Sequence, residues 1–381
     1  MAEQETIKLL QRLVAIDTTS TRSNEPILDL LTEEAEAQDF EVLRQSWFDA
    51  AGVEKGNLVA RRGPAKEGGL ALVGHSDCVP YDPNWTGALA GEVRDGKLFG
   101  RGSADTKAYI AAALGAARSV REHEGALWLI FTADEEVGCL GAKRLLSEKL
   151  ARPAFAIVGE PTRLIPVRAH KGYCLAEVEV RGLEAHSAYP DLGASAILGA
   201  GRLLAAIESA QQTLAAEQDP LFSPPYTTYN VGLIQGGKAK NVVAGSCTFT
   251  LEWRPVPGQD VRRALSLVEA ACAQLETSSA GRLRAEVRPL RFDEGVSVSS
   301  GAAIVKFLEG ESGNPSETIP FGTELPQLTA LGAEACVFGP GDIRVAHKTD
   351  EFVPLSDLRD AERILGRAIA RFAGSRTQTT P

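Results

Sequence analysis

The chain has little that would hold a polyanion. Lys and Arg total 40 against 50 Asp and Glu, a formal net charge of -10. Phosphate backbones and anionic lipid surfaces need clustered basic charge, so neither nucleic acid nor a membrane is an expected partner. No apolar stretch is long enough to cross a bilayer. The opening residues, Met1-Ala2-Glu3-Gln4-Glu5, are acidic and lack the apolar core of a signal peptide. There is no Cys-x-x-Cys pair: Cys78, Cys139, Cys174, Cys247, Cys272 and Cys336 stand singly. That excludes a dense disulfide framework and reads as reduced thiols in a cytoplasmic protein. Internal repeats are absent, and the only polar low-complexity stretch is the tail from Ser375 to Pro381, expected to be disordered.

What is present is a chain of 381 residues, 44% of them hydrophobic, long enough for two domains. Ile7, Leu10, Leu13 and Val14 recur at helical spacing, so Thr6–Ala15 reads as a helix. Pro26 opens a second helix, running to about Gln38. Strands are expected at 41–43, 57–60 and 70–73, the last running straight into Gly74-His75. The alanine-rich segment 107–120 predicts a helix, 126–131 a strand ending at Thr132-Ala133-Asp134-Glu135-Glu136, 141–150 a helix, and 155–158 a strand ending at Gly159-Glu160-Pro161. This alternation predicts a three-layer α/β domain.

The texture changes after about Lys171. Strand 173–181 alternates apolar with polar residues, followed by helix 194–209, strands 229–234 and 247–253, helix 261–276 and strand 283–287. That order matches a split βαβ sandwich, one sheet covered by two helices. From about Arg291 the α/β texture resumes, with a strand at 335–338 before Gly339-Pro340-Gly341. The expected architecture is therefore an α/β catalytic domain (1–171 and 289–381) with an inserted ferredoxin-like α+β domain (172–288).

Four segments offer imidazole nitrogens and carboxylate oxygens: Gly74-His75-Ser76-Asp77, Gly100 to Asp105, Asp134-Glu135-Glu136 with Gly159-Glu160, and Ala346-His347. These donors suit zinc, cobalt or manganese. Three of the segments follow apolar runs, and open α/β sheets place their ligands at the carboxyl ends of strands. One metal site, with two ions, organises them. Each residue has a plainer reading. His75 would be a satisfied strand-end histidine and Asp105 a helix cap. Glu135 and Glu136 would be solvated neighbours, Glu160 a partner of Arg163, and His347 a solvent-facing loop residue.

The runs Gly74-His75-Ser76-Asp77-Cys78-Val79-Pro80, Gly100-Arg101-Gly102-Ser103-Ala104-Asp105-Thr106-Lys107, Asp134-Glu135-Glu136, Gly159-Glu160-Pro161-Thr162, Arg181 to Ser187 and Gly339-Pro340-Gly341 through Ala346-His347 to Glu351 occur in that order. Together they resemble the M20 family of metallo-aminoacylases and exopeptidases over nearly the whole chain. The resemblance implies that His75, Asp105 and Glu160 hold one ion and that Asp105, Glu136 and His347 hold the other, with Asp105 bridging. Asp77 would orient His75, and Glu135 would be the general base. His186 would reach a partner's site in a homodimer and meet the developing oxyanion; its plainer role is to anchor a turn. Asn241 and Arg254 would grip a substrate carboxylate, although Arg254 also suits a surface ion pair.

Ile16 to Ser20, Gly322-Thr323-Glu324 and Phe338 to Gly341 are similar to the branch acting on N2-acetyl-L-ornithine. Glu324 would pair with the substrate ammonium. The expected reaction is metal-dependent hydrolysis of a small N-acyl amino acid. Desuccinylation of succinyl-diaminopimelate and dipeptidase or carboxypeptidase activity stand as alternatives on the same machinery. Asp105-Thr106-Lys107-Ala108 departs from the family's usual Asp-Met-Lys-Gly, and Cys78 and Cys139 read as small packing residues.

Overall fold

A computed structural model describes residues 2–374; the tail expected to be disordered lies outside the described residues. The chain forms two compact units. One holds the residues up to Arg168, Val298–Glu317 and the chain from Thr323 onward; the other holds Ala169–Ser297 and Thr318–Gly322. The return crossing comes later than the expected residue 288. The strand Arg284–Asp293 keeps pairing with Tyr173–Arg181 as far as Asp293 opposite Tyr173.

The large sheet includes β1 (Glu41–Phe48), β2 (Glu54–Arg62), β3 (Leu70–His75), β4 (Leu127–Thr132), β5 (Phe155–Val158), β6 (Val167–His170) and β11 (Glu334–Val337). The order across it is β1-β2-β4-β3-β5-β11-β6. The central pairs β4/β3, β3/β5 and β5/β11 are parallel, while β1/β2 and β2/β4 are antiparallel. Every residue of β3 and β4 is buried, which is why both read as unbroken apolar runs rather than alternating ones. Helices α1 (Ala2–Val14), α3 (Lys107–Ser119) and α9 (Leu355–Ala368) pack together, α2 (Glu25–Glu36) packs on β1 and β2, α7 (Ala303–Ser312) on β11 and α9, and α4 (Leu140–Glu148) on α8 (Leu325–Ala330). Buried on all sides from Lys107 to Ala117, α3 uses alanine, which loses no side-chain entropy in a helix and lets neighbours approach closely. The expected helix 141–150 stops at Glu148 because Lys149 turns left-handed, with φ 52°.

Beneath the strand ends lies Tyr109 of α3, whose hydroxyl donates to the Ile157 carbonyl at 2.7 Å. Its ring occupies the space that three glycines leave open. A Cβ on Gly74 would lie 3.2 Å from the ring, one on Gly159 2.2 Å, and one on Gly339 3.3 Å. These glycines follow one another across β3, β5 and β11, so the absence of three side chains admits one aromatic floor.

The second unit follows the order β7 (Tyr173–Arg181), α5 (Ala196–Leu214), β8 (Thr228–Gly236), β9 (Ser246–Arg254), α6 (Arg262–Ser278), β10 (Arg284–Asp293). Its antiparallel sheet runs β8-β9-β7-β10. Alternate residues Cys174, Ala176, Val178 and Val180 of β7, and Cys247, Phe249, Leu251 and Trp253 of β9, pack into one core with residues of both helices. This is the split βαβ sandwich expected from the order of elements. β8 is an edge strand whose residues from Gly232 to Gly236 are all exposed.

Candidate metal centre

Sheet register brings the first donors together. His75, the last residue of β3, lies beside Thr132 of β4. Val73 of β3 lies beside Val158 of β5, so His75 and Glu160 each stand two residues beyond the same rung. The other donors come from loops. Asp105 precedes α3, Glu135 and Glu136 follow β4, and His347 sits at φ 60° in the loop before α9. The turn carrying Glu135 is braced from below by a buried ion pair. Lys55 Nζ lies 2.9 Å from Asp134 and also donates to the carbonyls of Ser20 and Arg22.

The donor atoms converge. His75 Nε2 lies 3.0 Å from Asp105 Oδ1, His347 Nε2 lies 3.2 Å from Asp105 Oδ2, and His347 Nε2 lies 3.0 Å from Glu136 Oε1. One donor atom from each of His75, Asp105 and Glu136 falls within 4.8 Å of the others. Tetrahedral ligands about 2.0–2.1 Å from one zinc stand about 3.3 Å apart, so these separations are close to the edges of a coordination polyhedron. The two oxygens of Asp105 face different imidazoles, which is the disposition a bridging carboxylate needs. Glu160 is buried at the end of β5, where its charge is felt by Asp105, Glu135, His75 and Glu136.

Asp77 has a wider role than orienting His75. The His75 Nδ1–H donates to the main-chain carbonyl of Asp77 at 3.0 Å, whereas the carboxylate is 3.7 Å away. The carbonyl therefore fixes the tautomer that leaves Nε2 free for a ligand. The Asp77 carboxylate accepts instead from Ser20 Oγ (2.8 Å) and from the main-chain N–H groups of Glu135 (3.0 Å) and Glu136 (3.4 Å). The spacing of His75 and Asp77 suggested His75 alone as the partner of this side chain. The Cys139 thiol, read from sequence as packing, donates to Glu135 Oε1 at 3.4 Å. Glu324 is buried; Thr132 Oγ1 donates to its Oε1 at 2.6 Å, and its Oε2 has no partner.

Crowded charge shifts these groups. Burial pushes the Glu135 carboxyl up to about 8, helped by Glu136, Glu324 and Asp105 and opposed by His75. Burial, with Asp105 next, raises Glu136 and holds Glu160 well above the carboxylate range. Burial also lifts Glu324 to about 7 against its bond from Thr132. Hydrogen bonds to Asp105 and Glu136 lift His347 to about 10. Burial would lower His75, but its bonds to Asp105 and Asp77 hold it well above its ordinary value. Burial opposes ionisation of Asp105, yet bonds from His347 and His75 lower it. Without a compensating cation, Glu135, Glu136 and Glu160 are biased toward protonation and both imidazoles toward the charged form, while Asp105 is biased toward ionisation. Divalent cations would offset this surplus of carboxylates, and the imidazole and carboxylate donors suit a hard-to-borderline ion.

The remaining sequence candidates lie in the second unit. His186 is exposed and pairs with Val242 in a two-residue ladder. Its Nδ1 accepts from the Ala188 N–H at 3.1 Å, so the neutral ring carries its proton on Nε2. Asn241 adjoins that ladder, its carbonyl accepting from the Ser187 N–H. Arg254 ends β9, bonded to Glu252 at 2.8 Å and to the Pro320 carbonyl, with its guanidinium over the Tyr173 ring. Asn241 lies five residues before Ser246, off the far end of that same strand, whose eight steps span about 27 Å at about 3.4 Å per residue.

Comparison with known proteins gives the family and the fold. The model of Peptidase family M20/M25/M40 matches residues 71–371. An acetylornithine deacetylase of Myxococcus xanthus is 55% identical over 370 residues, covering 96% of this chain and 97% of its own. One from Proteus mirabilis is 32% identical, covering 96% of each. Among solved structures, an M20 family metallo-carboxypeptidase of Sulfolobus solfataricus superposes with a TM-score of 0.77 at 18% identity, covering 96% of this chain and 98% of its own. The aminopeptidase PepT of Bacillus cereus gives 0.76 at 20%, with the same coverage. These two structures share the fold.

Proposed function

Because the chain belongs to peptidase family M20/M25/M40, whose members are metal-dependent amidohydrolases, we propose that it hydrolyses N2-acetyl-L-ornithine to L-ornithine and acetate, a step serving arginine biosynthesis. The observation carrying this reading is the full-length identity of 55% to an acetylornithine deacetylase, combined with the clustering of His75, Asp105, Glu136 and His347.

We assign two ions, zinc or cobalt with manganese as an alternative. His75, Asp105 and Glu160 would hold one, and Asp105, Glu136 and His347 the other. Bound there, such ions acidify water and polarise an amide carbonyl. Glu135 is assigned as general base: it takes one proton as a water oxygen bonds to the carbonyl carbon, then returns it to the amine nitrogen as the C–N bond breaks. Its raised proton affinity suits both halves of that shuttle. His186, with its proton on Nε2, would donate to the developing oxyanion.

We further propose a homodimer. Exposed Leu233 and Ile234 on the free edge strand β8, with exposed Ile197 and Leu198 on α5, support it, since an unpaired apolar edge invites a partner. The separation of Asn241 from Arg254 supports assigning the His186–Asn241 corner to one protomer and Arg254 to the other. Glu324, with one oxygen unpartnered, is kept as the group meeting the ornithine ammonium. A cytoplasmic location fits six free, buried thiols.

The test is a substrate panel. Metal-stripped protein, reconstituted with zinc or cobalt, is assayed on acetylornithine, succinyl-diaminopimelate and a dipeptide. Acetylornithine should give the highest kcat/KM. A higher value on either of the others rejects the substrate, and no turnover after reconstitution rejects the reaction.

A further inference from the structure

We propose that Glu351, paired with Arg101, is a positioning residue that holds the Asp105 loop in metal-binding geometry and ties it to two other donor-bearing segments. The inference rests on reading Asp105 as a metal ligand.

Glu351 is fully buried. Its Oε1 accepts from the main-chain N–H groups of Ala104 (3.0 Å) and Asp105 (3.1 Å). Its Oε2 accepts from Arg101 Nη1 at 2.5 Å. Its main-chain carbonyl accepts from the Gly100 N–H at 3.0 Å. One residue therefore grips both ends of the 100–105 loop. The same residue stands four positions after His347, so the segment that brings one imidazole also fixes the carboxylate lying 3.2 Å from it.

Arg101 extends the grip to a third segment. Its Nη2 donates to the Pro80 carbonyl at 3.3 Å, three residues beyond Asp77, and its guanidinium lies over the Trp85 ring at 5.5 Å. Loops 75–80, 100–105 and 347–351 thus share one buried ion pair. A pair this deep repays its desolvation only when further hydrogen bonds satisfy both ions. Here the two loop amides complete the carboxylate, and the Pro80 carbonyl takes one further guanidinium N–H while Arg101 Nε has no partner. Neither Arg101 nor Glu351 is among the donors that converge on His75 and Asp105, so the pair acts through Asp105.

The effect of losing the clamp should fall on metal affinity. Removing groups that orient a ligand weakens metal binding by about 10–100-fold. The zinc Kd of stripped protein, measured by competition with a chromophoric chelator, should rise by that factor in Glu351→Ala. It should recover most of the loss in Glu351→Gln, whose amide oxygen still accepts both loop N–H groups. Wild-type affinity in the alanine variant, or a glutamine variant no better than alanine, overturns the clamp. Should the alanine variant fail to fold, hydrogen exchange on the metal-free native protein decides. The Ala104 and Asp105 amides are expected to be protected before any metal is added, and free exchange there refutes the inference. A native protein that binds no zinc at all instead refutes the metal-site reading itself, so the two failures are distinguishable.

Discussion

Replacing Asp77 with Asn probes the site at the point where most of its backbone converges. The native carboxylate accepts from Ser20 Oγ and from the Glu135 and Glu136 amides, and is entirely buried. Asn keeps one acceptor oxygen. If that oxygen serves the nearer amide, at Glu135, its NH2 group faces the Glu136 N–H, donor against donor, while the Ser20 hydroxyl can rotate to accept. A hydrogen bond to a charged group contributes about 1.5–3 kcal/mol against about 1 for a neutral one, and an unpaired buried donor costs about 1–3. The summed loss is about 2–4 kcal/mol, read as a lower urea midpoint of the metal-free protein. The catalytic consequence is larger than stability alone suggests. The Glu135–Glu136 turn carries both the proposed base and a proposed ligand, and a misplacement of about 1 Å costs about 100-fold in rate. At saturating metal, kcat/KM on acetylornithine should fall by about that factor, and Asp77→Ala should be worse on both measures. Ser20→Ala, which removes only one donor, should lose about 1 kcal/mol. An Asn variant within threefold of native in rate, with an unchanged urea midpoint, would show that the carboxylate does not hold this turn.

Glu135→Gln should keep metal affinity but lower kcat by about 100- to 10,000-fold at saturating metal; substantial residual turnover rejects it as the base. The metal-free protein should lose thermal stability as pH rises from about 6.5 to 9. His347, raised to about 10, stabilises the fold fully below its ordinary value of 6.5 and less as pH climbs toward 10. Glu135, raised to about 8, favours the fold in its protonated form and loses that contribution between 4.5 and 8. Zinc should remove this decline by replacing the protons, with proton release detectable by calorimetry in buffers of differing ionisation enthalpy; a metal-free Tm that rises over the same interval contradicts the charge balance. Gly159→Ala should destabilise strongly, because its Cβ would meet the Tyr109 ring at 2.2 Å. Recovery in the Gly159→Ala/Tyr109→Ala double variant would confirm the clash as the cause, and an unperturbed single variant would refute it.

The donor-bearing strand ends were legible because β3, β4 and β5 are buried parallel strands, each an apolar run stopping abruptly at His75, at the turn leading to Glu135 and Glu136, and at Glu160. The alternation in β7 likewise exposed the second unit, since one face packs on helices and the other does not. Elements too short for periodicity were not legible: Glu92–Arg94, Lys97–Phe99 and Phe352–Pro354 form a small separate sheet, and three residues carry no pattern. Partners distant in sequence were equally hidden. Nothing in the spacing joins Glu351 to Ala104, Ser20 to Asp77 or Thr132 to Glu324, because the fold alone supplies those neighbours. The carbonyl of Asp77, rather than its carboxylate, serves His75 because a two-residue spacing does not determine which of the two groups turns inward.

Tyr109 bears on how the centre accommodates cations of different radius. His75 and Glu160 project from adjoining strands seated on one rigid aromatic plate, so neither can be raised or lowered without disturbing the other. Asp105, Glu136 and His347 are carried on irregular backbone, held by the Glu351–Arg101 and Lys55–Asp134 pairs rather than by the sheet. At the proposed centre, exchange of zinc for the larger manganese would therefore be taken up on the loop side, with the sheet side as the fixed jaw of the vice.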